Sequence, residues 1–291
     1  MSTFLVIGAL ALDRPIRLDR PLQSGARLRG RSLEGALEGR LGGGAANAGC
    51  ALLAAGHAVR VASVIADDAD GARTHALALA AGLDLTGVRR RPGTSARTLV
   101  LLEPTGERTI IGLDGALPAT PPQLDPPAAR PGPPADGVFV RAAFGGAAEW
   151  ARSARGPVVL HWPAPGYDGE ADVVVASAED LPEGLSDSPF ATAAAQLGER
   201  LAWIVVTHGA AGAVAHARDG ARLAAQAPPV AVRDATGAGD VFAAGLLEAL
   251  AAGAPMPQAL AHACAWGAIA ATLDGSAPVA PPRGAFRRWA P

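Results

Sequence analysis

Arg233-Asp-Ala-Thr-Gly-Ala-Gly-Asp-Val-Phe-Ala-Ala-Gly-Leu-Leu-Glu-Ala-Leu-Ala-Ala-Gly253 is the stretch on which the reading of this chain turns. The strand-like Val230-Ala-Val232 leads into a glycine-rich turn, and the turn opens an apolar helix that begins at about Asp240 and stops at Gly253. Small residues at Gly237, Ala238 and Gly239 let successive backbone N–H groups point outward. The helix N-terminus adds partial positive charge, so an anionic phosphoryl group is stabilised there. The chain has no lysine, which excludes a P-loop lysine and a Schiff-base lysine together; the anion pocket is built from main-chain donors. Asp240, at the lip of the turn, reads either as a helix N-cap or as a carboxylate that accepts a proton from a hydroxyl attacking the phosphoryl group. The two roles are geometrically compatible.

Further out lies a second glycine-rich stretch, Leu41-Gly-Gly-Gly-Ala-Ala-Asn-Ala-Gly-Cys-Ala-Leu-Leu-Ala-Ala-Gly56. Gly42, Gly43 and Gly44 permit close backbone approach to a ligand, and the Asn47 amide both donates and accepts, which suits polyol hydroxyls. A helix start packed tightly on a strand has the same pattern. In Trp203-Ile-Val-Val-Thr-His-Gly-Ala-Ala-Gly-Ala-Val214, a buried strand leaves through a small-residue turn at Thr207, Gly209 and Gly212 into another strand. That is either a hairpin or a seat for a flat ligand. The run Val138-Phe-Val140 ends in Arg141, whose guanidinium favours a carboxylate or phosphate if it faces a ligand.

Between these stretches short apolar runs alternate with Ala-rich helical ones, the pattern of a mostly parallel sheet covered on both faces. Strands are expected near 4–10, 59–65, 138–141, 157–161, 173–176 and 202–207, and helices near 45–55, 69–81, 145–155, 188–200, 240–252 and 256–271. Gly56 and Gly82 are further helix stops. Two segments break the alternation, about 13–41 and 94–113, the second a hairpin turning at Pro104-Thr-Gly106. Together they predict a small β lid beside the main sheet, within one domain spanning 1–291. The Pro-rich run from Pro118 to Pro134 reads as a surface connector.

Composition narrows the function. Apolar residues make up 49% and charged residues 18% of 291, enough for a substantial core. A net charge of −2 gives no basic field for nucleic acid or anionic lipid, and no run reaches the length of a membrane span. The opening Phe4–Leu12 run lacks a basic leader and reads as a buried strand. Cys50 and Cys264 both lie in Ala-rich helical segments, which indicates neither a disulfide framework nor a Cys-based metal site and fits a reducing cytoplasm.

With these residues in view, the chain resembles the ribokinase-like (PfkB) carbohydrate kinases over nearly its whole length. Asp234-Ala-Thr-Gly-Ala-Gly-Asp240 looks like that family's C-terminal signature, and the resemblance implies Asp240 as catalytic base with Gly237, Ala238 and Gly239 as anion hole. Gly42 to Asn47 resembles the sugar-binding Gly-Gly signature, and Asp13 the acid that grips sugar hydroxyls. Thr207-His-Gly-Ala-Ala-Gly212 is similar to the nucleotide-binding turn, with Cys264 near the adenine-facing position. By the same resemblance Asp234 and the Thr236 carbonyl supply half of a monovalent-cation (K⁺) site, completed near Ala268–Ser276. The implied fold is three-layer α/β/α with a mostly parallel central sheet and a small β lid. The implied activity is ATP- and Mg²⁺-dependent phosphorylation of a hydroxyl on a sugar or polyol, and lid strands of this family often pair across a homodimer.

The departures bear on the acceptor and on the metal. Gly42-Gly-Gly-Ala45 stands where ribokinases carry Gly-Gly-Lys-Gly, and Trp162-Pro-Ala-Pro165 where they carry Asn-Pro-Ala-Pro, so ribose is not the expected acceptor. The family's Asn-x-x-Glu, which organises Mg²⁺, appears as Ser177-Ala-Glu-Asp180, with Asp180 or Glu179 standing in for the Glu. Two other readings keep the fold: a nucleoside kinase, for which Trp162 is the one aromatic candidate, and a regulatory protein that binds sugar and nucleotide with little catalysis. A nicotinamide-dependent Rossmann enzyme is disfavoured, because Ala9-Leu-Ala-Leu-Asp13 follows the first strand in place of Gly-x-Gly-x-x-Gly.

Overall fold

A computed structural model describes residues 1–32, 38–95, 97–113, 122–129, 132, 134–141, 144–164, 166–181, 190, 193–194 and 197–273. In chain order the strands are β1 (Thr3–Ile7), β2 (Ala11–Leu18), β3 (Gly30–Ser32), β4 (Arg40–Gly42), β5 (Ala58–Ala66), β6 (Asp84–Arg91), β7 (Arg97–Leu102), β8 (Arg108–Leu113), β9 (Gly137–Val140), β10 (Val158–His161), β11 (Val173–Ser177), β12 (Trp203–Thr207), β13 (Ala213–Ala217) and β14 (Arg222–Ala225). The helices are α1 (Gly44–Ala54), α2 (Ala69–Ala80), α3 (Ala147–Arg152), α4 (Ala238–Ala251) and α5 (Met256–Ala271).

Runs such as Val158-Val-Leu-His and Val173-Val-Val-Ala have no polar face, so they are stable only when both sides are covered. They lie inside a nine-stranded sheet of order β14-β13-β12-β11-β10-β9-β1-β5-β6, parallel from β12 to β6 and antiparallel at β12/β13 and β13/β14. Successive side chains feed opposite cores. Phe4, Val6, Phe139 and Val159 pack with α1, α4 and α5, while Leu5, Ile7, Val138, Val140 and Leu160 pack with α3, Leu124 and Tyr167. The result is the three-layer α/β/α arrangement read from the sequence, with Trp150 and Trp266 filling the two cores.

The two segments that break the alternation meet in a second sheet of order β3-β2-β7-β8, with β4 paired to β2. The β7–β8 hairpin closes through Gly106 N–H donating to the Glu103 carbonyl, and Gly106 takes a positive φ of 88°. A Cβ at Gly106 would lie 2.9 Å from Val232, so the hairpin tip rests on the segment that leads into the glycine-rich turn.

Several boundaries differ from those expected, each for a local reason. α4 begins at Ala238, because Gly237 at φ 77° is the capping residue; Asp240 sits inside the first turn and is not the N-cap. β1 stops at Ile7, where Gly8 N–H crosses to the Ala62 carbonyl and the chain bends into β2. α3 is shorter than 145–155, starting after Gly146 in a left-handed conformation. The Pro-rich run is more than a connector, since Leu124 is buried in the core and Gln123 bridges Gly145. Residues 188, 189, 191, 192, 195 and 196 of the helix expected at 188–200, and residues 274–276 of the late loop, fall outside the described residues. Among the described residues no helix is long and apolar enough to cross a membrane.

Candidate active site

The carboxyl ends of β1, β9, β10 and β11, where a parallel sheet opens its crevice, bring the predicted residues toward α4. The centre is Asp240, in the first turn of α4 and 7% exposed. Asn47 Nδ2 donates to its Oδ2 at 2.8 Å from the first turn of α1. Arg141 Nε donates to its Oδ1 at 2.7 Å from the end of β9, where the Arg141 backbone is held by the Ile7 carbonyl. Asp240 is therefore fixed from two sides, by one amide and one guanidinium. Asn47 Oδ1 is buried and has no hydrogen-bond partner among the described residues, which leaves one acceptor of this amide unused.

Close approach explains the glycines. A Cβ at Gly42 would strike the Asp13 carboxylate, and one at Gly44 would strike Arg141 and lie 3.1 Å from Asp240. At Gly237 a Cβ would meet the Asn47 amide at 2.6 Å, and at Gly43 it would strike the Ala9 carbonyl. Asp13 is 6% exposed and stands opposite Arg40 in the β2–β4 pairing. Gly239 is different: among the described residues outside its own helix, a Cβ there would have one neighbour within 4 Å, His161 Nε2 at 3.9 Å. The Ala238 N–H is turned back to the Ala235 carbonyl at 3.2 Å, so this donor of the expected anion hole is already engaged within the turn.

His161, the last residue of β10, was not anticipated. Burial, and then the Arg141 charge, push its imidazole down to about 4, so it is neutral at ordinary pH. The available signal was a polar residue closing an otherwise apolar strand at the crevice end of the sheet.

Asp234 is completely buried. Its Oδ1 accepts from Thr236 N–H at 2.9 Å, and its Oδ2 accepts from Arg40 Nη2 at 3.1 Å. Each carboxylate oxygen already accepts a bond and a guanidinium supplies the countercharge, which disfavours the expected monovalent-cation site at these residues. Asp180 and Glu179 are exposed in the turn after β11, held by Ser177. Mg²⁺ takes one or two carboxylates together with water and substrate phosphates, a requirement this pair fits. Among the described residues no group of three or more His, Cys, Asp and Glu could enclose a metal by itself.

The stretch after β12 is a hairpin turn. His208 N–H donates to the Gly212 carbonyl, and Gly209–Ala211 form one 3-10 turn. Thr207 Oγ1 donates to the Ala176 carbonyl at 3.3 Å. Gly212 is required because a Cβ there would strike the Ala225 carbonyl of β14. Cys264 is 3% exposed, its Sγ 3.7 Å from the same carbonyl, and burial raises its thiol to about 11; it belongs to the packing between α5 and β14 and presents no open face.

The chain is 31% identical over 303 residues to the ATP-dependent ribose-1-phosphate kinase of Halopiger xanaduensis, covering 98% of each. It belongs to the pfkB family of carbohydrate kinases. Residues 169–282, which include Asp180, Asp234 and Asp240, match the family described as pfkB family carbohydrate kinase. The fold agrees with solved ribokinases. That of Cryptococcus neoformans, in complex with ADP, superposes with a TM-score of 0.73 at 20% identity, covering 98% of this chain and 99% of that one. That of Arabidopsis thaliana, complexed with ribose and ATP, gives 0.71 at 20%, covering 98% and 97%. This pfkB member is an ATP-dependent carbohydrate kinase of ribokinase-like fold.

Proposed function

We propose that this kinase transfers the γ-phosphoryl group of ATP to a hydroxyl of a pentose phosphate, ribose 1-phosphate being the first acceptor to try, with Asp240 as the base. The observation that carries this reading is the Arg141 guanidinium, seated between Gly44 and Asp240 beside Asn47. A guanidinium there suits a second phosphate on the acceptor, whereas plain ribose offers it only neutral hydroxyl acceptors. The relative that phosphorylates ribose 1-phosphate supports the same acceptor class.

Asp13 and Asn47 hold the acceptor's hydroxyls, and the Arg141 Nη groups take its phosphate while Nε keeps Asp240 in place. The attacking hydroxyl gives its proton to Asp240 as its oxygen bonds to the γ-phosphorus and the bridge to ADP breaks. Main-chain donors at Gly239 and Asp240, with the N-terminus of α4, stabilise the charge that develops on the transferring group. His161, neutral above Gly239, lines the pocket without adding a charge. The turn at Thr207, Gly209 and Gly212 seats the nucleotide, and Asp180 with Glu179 would hold Mg²⁺, which neutralises the phosphates when bound.

Release of ADP, followed with ribose 1-phosphate, ribose 5-phosphate, ribose and inosine, tests the reading. A phosphorylated pentose should exceed ribose and inosine in kcat/KM by roughly tenfold or more, the worth of one charge-assisted contact. Equal or better turnover of ribose or inosine would contradict it, and inosine as the best acceptor would establish the nucleoside kinase instead.

A further inference from the structure

Asp234 opens the glycine-rich turn and has no contact with solvent. A carboxylate in that position is strongly disfavoured without a countercharge. The countercharge comes from far away in the chain, from Arg40, the first residue of β4. Its Nη2 lies 3.1 Å from Asp234 Oδ2, and its side chain is 17% exposed. Thr236 N–H takes the other oxygen. A free cation sharing this carboxylate would lie one carboxylate's width from the guanidinium, where like charges in a poorly solvated site repel.

We infer that Arg40 is the permanent countercation of Asp234, in place of a bound monovalent ion, and that it ties the second sheet to the glycine-rich turn. Leu41, next to it, is buried and anchors β4, while Arg40 pairs across to Asp13 on β2. One residue thus connects the strand that carries Asp13 to the turn that precedes Asp240. A covalently attached cation holds the turn in shape at any salt composition, whereas a dissolved one does so only when bound. Arg40 is a positioning residue, for the contact it makes is with Asp234, six residues before Asp240. Its influence on catalysis rests on the proposed role of that turn; its influence on the fold does not.

Melting temperature and ATP turnover of the whole chain, compared in KCl and in tetramethylammonium chloride at equal ionic strength, test this. The wild type should show the same melting temperature in both salts, and kcat/KM for ATP should change by less than about twofold. Arg40→Gln should melt lower in tetramethylammonium chloride and regain part of the loss in KCl, because the bare carboxylate is then open to a dissolved cation. Its kcat/KM for ATP should fall by about tenfold or more without K⁺, and Arg40→Lys should recover most of it. A wild type that K⁺ both stabilises and activates tenfold would overturn the inference. So would an Arg40→Gln variant that melts like the wild type, or one destabilised equally in both salts. If Arg40→Gln does not fold, the wild-type comparison and Arg40→Lys still decide the matter. If no acceptor is turned over at all, the proposed function fails while the melting curves still read the Arg40–Asp234 pair.

Discussion

Arg141 shows how one side chain alters what a shared fold recognises. It reaches Asp240 because Gly44 leaves room for its aliphatic stem and because Gly8, at the end of β1, lets its Cβ approach. A neutral residue of similar length keeps the packing and removes the charge. Arg141→Met should therefore lower kcat/KM for both acceptors, because Asp240 loses one of its two supports, and for ribose 1-phosphate by roughly 10–100-fold more than for ribose, the worth of a hydrogen-bonded charge pair. Steady-state kinetics with the two acceptors measures the split; an equal loss on both would mean that Arg141 serves only Asp240. The sequence alone placed Arg141 at a strand end, where arginines are commonly solvated, and the contact with Asp240 across 99 residues is not a local signal.

At the scale of the elements, α4 and α5 are joined by packing and by one charged cluster. Trp266 of α5 sits on Gly245 of α4, where a Cβ would lie 2.8 Å from the indole. Behind it, Glu248 of α4 meets His262 Nε2 at 3.1 Å and His57 Nε2 at 3.4 Å, the second just before β5. The His262 and then the His57 imidazoles hold the Glu248 carboxyl down to about 2 from 4.5. Because the folded value is depressed, the stabilisation is complete above about 4.5 and disappears as pH falls toward about 2. Glu248→Gln should cost about 1–3 kcal/mol at neutral pH and flatten the acid limb of stability across that window, read by urea melts at several pH values. An unchanged acid limb would contradict the cluster's role.

The same helices mark what local pattern reveals. The apolar runs of β1, β5 and β9 to β12 and the Ala-rich spacing of α1, α2, α4 and α5 were legible, because burial on two faces or one leaves a direct trace in composition. β6, with three consecutive arginines at its end, and the short exposed β14 were not, because edge strands half open to water lose that trace. In the candidate site, the glycine-rich turn and the Gly42–Asn47 segment were legible from residue type and spacing, and Asp13 only through the family resemblance. Arg40 and His161 were not: a charge that serves a residue 194 positions away is set by tertiary structure alone.

For the molecule as a whole, the second sheet touches the glycine-rich turn at two places, Arg40 on Asp234 and Gly106 on Val232. Asp13, proposed to hold the sugar, and the turn proposed to hold the phosphoryl group are thereby parts of one frame, suited to excluding water while the hydroxyl attacks. Everything in that frame converges on the Asp240 carboxylate. The most direct test is single-turnover phosphorylation of ribose 1-phosphate by Asp240→Asn, with nucleotide affinity measured separately by calorimetry. Loss of an aligned base predicts a rate lower by about 10²–10⁴ with ATP affinity within a few-fold of the wild type; transfer at near wild-type rate would show that Asp240 is not the base.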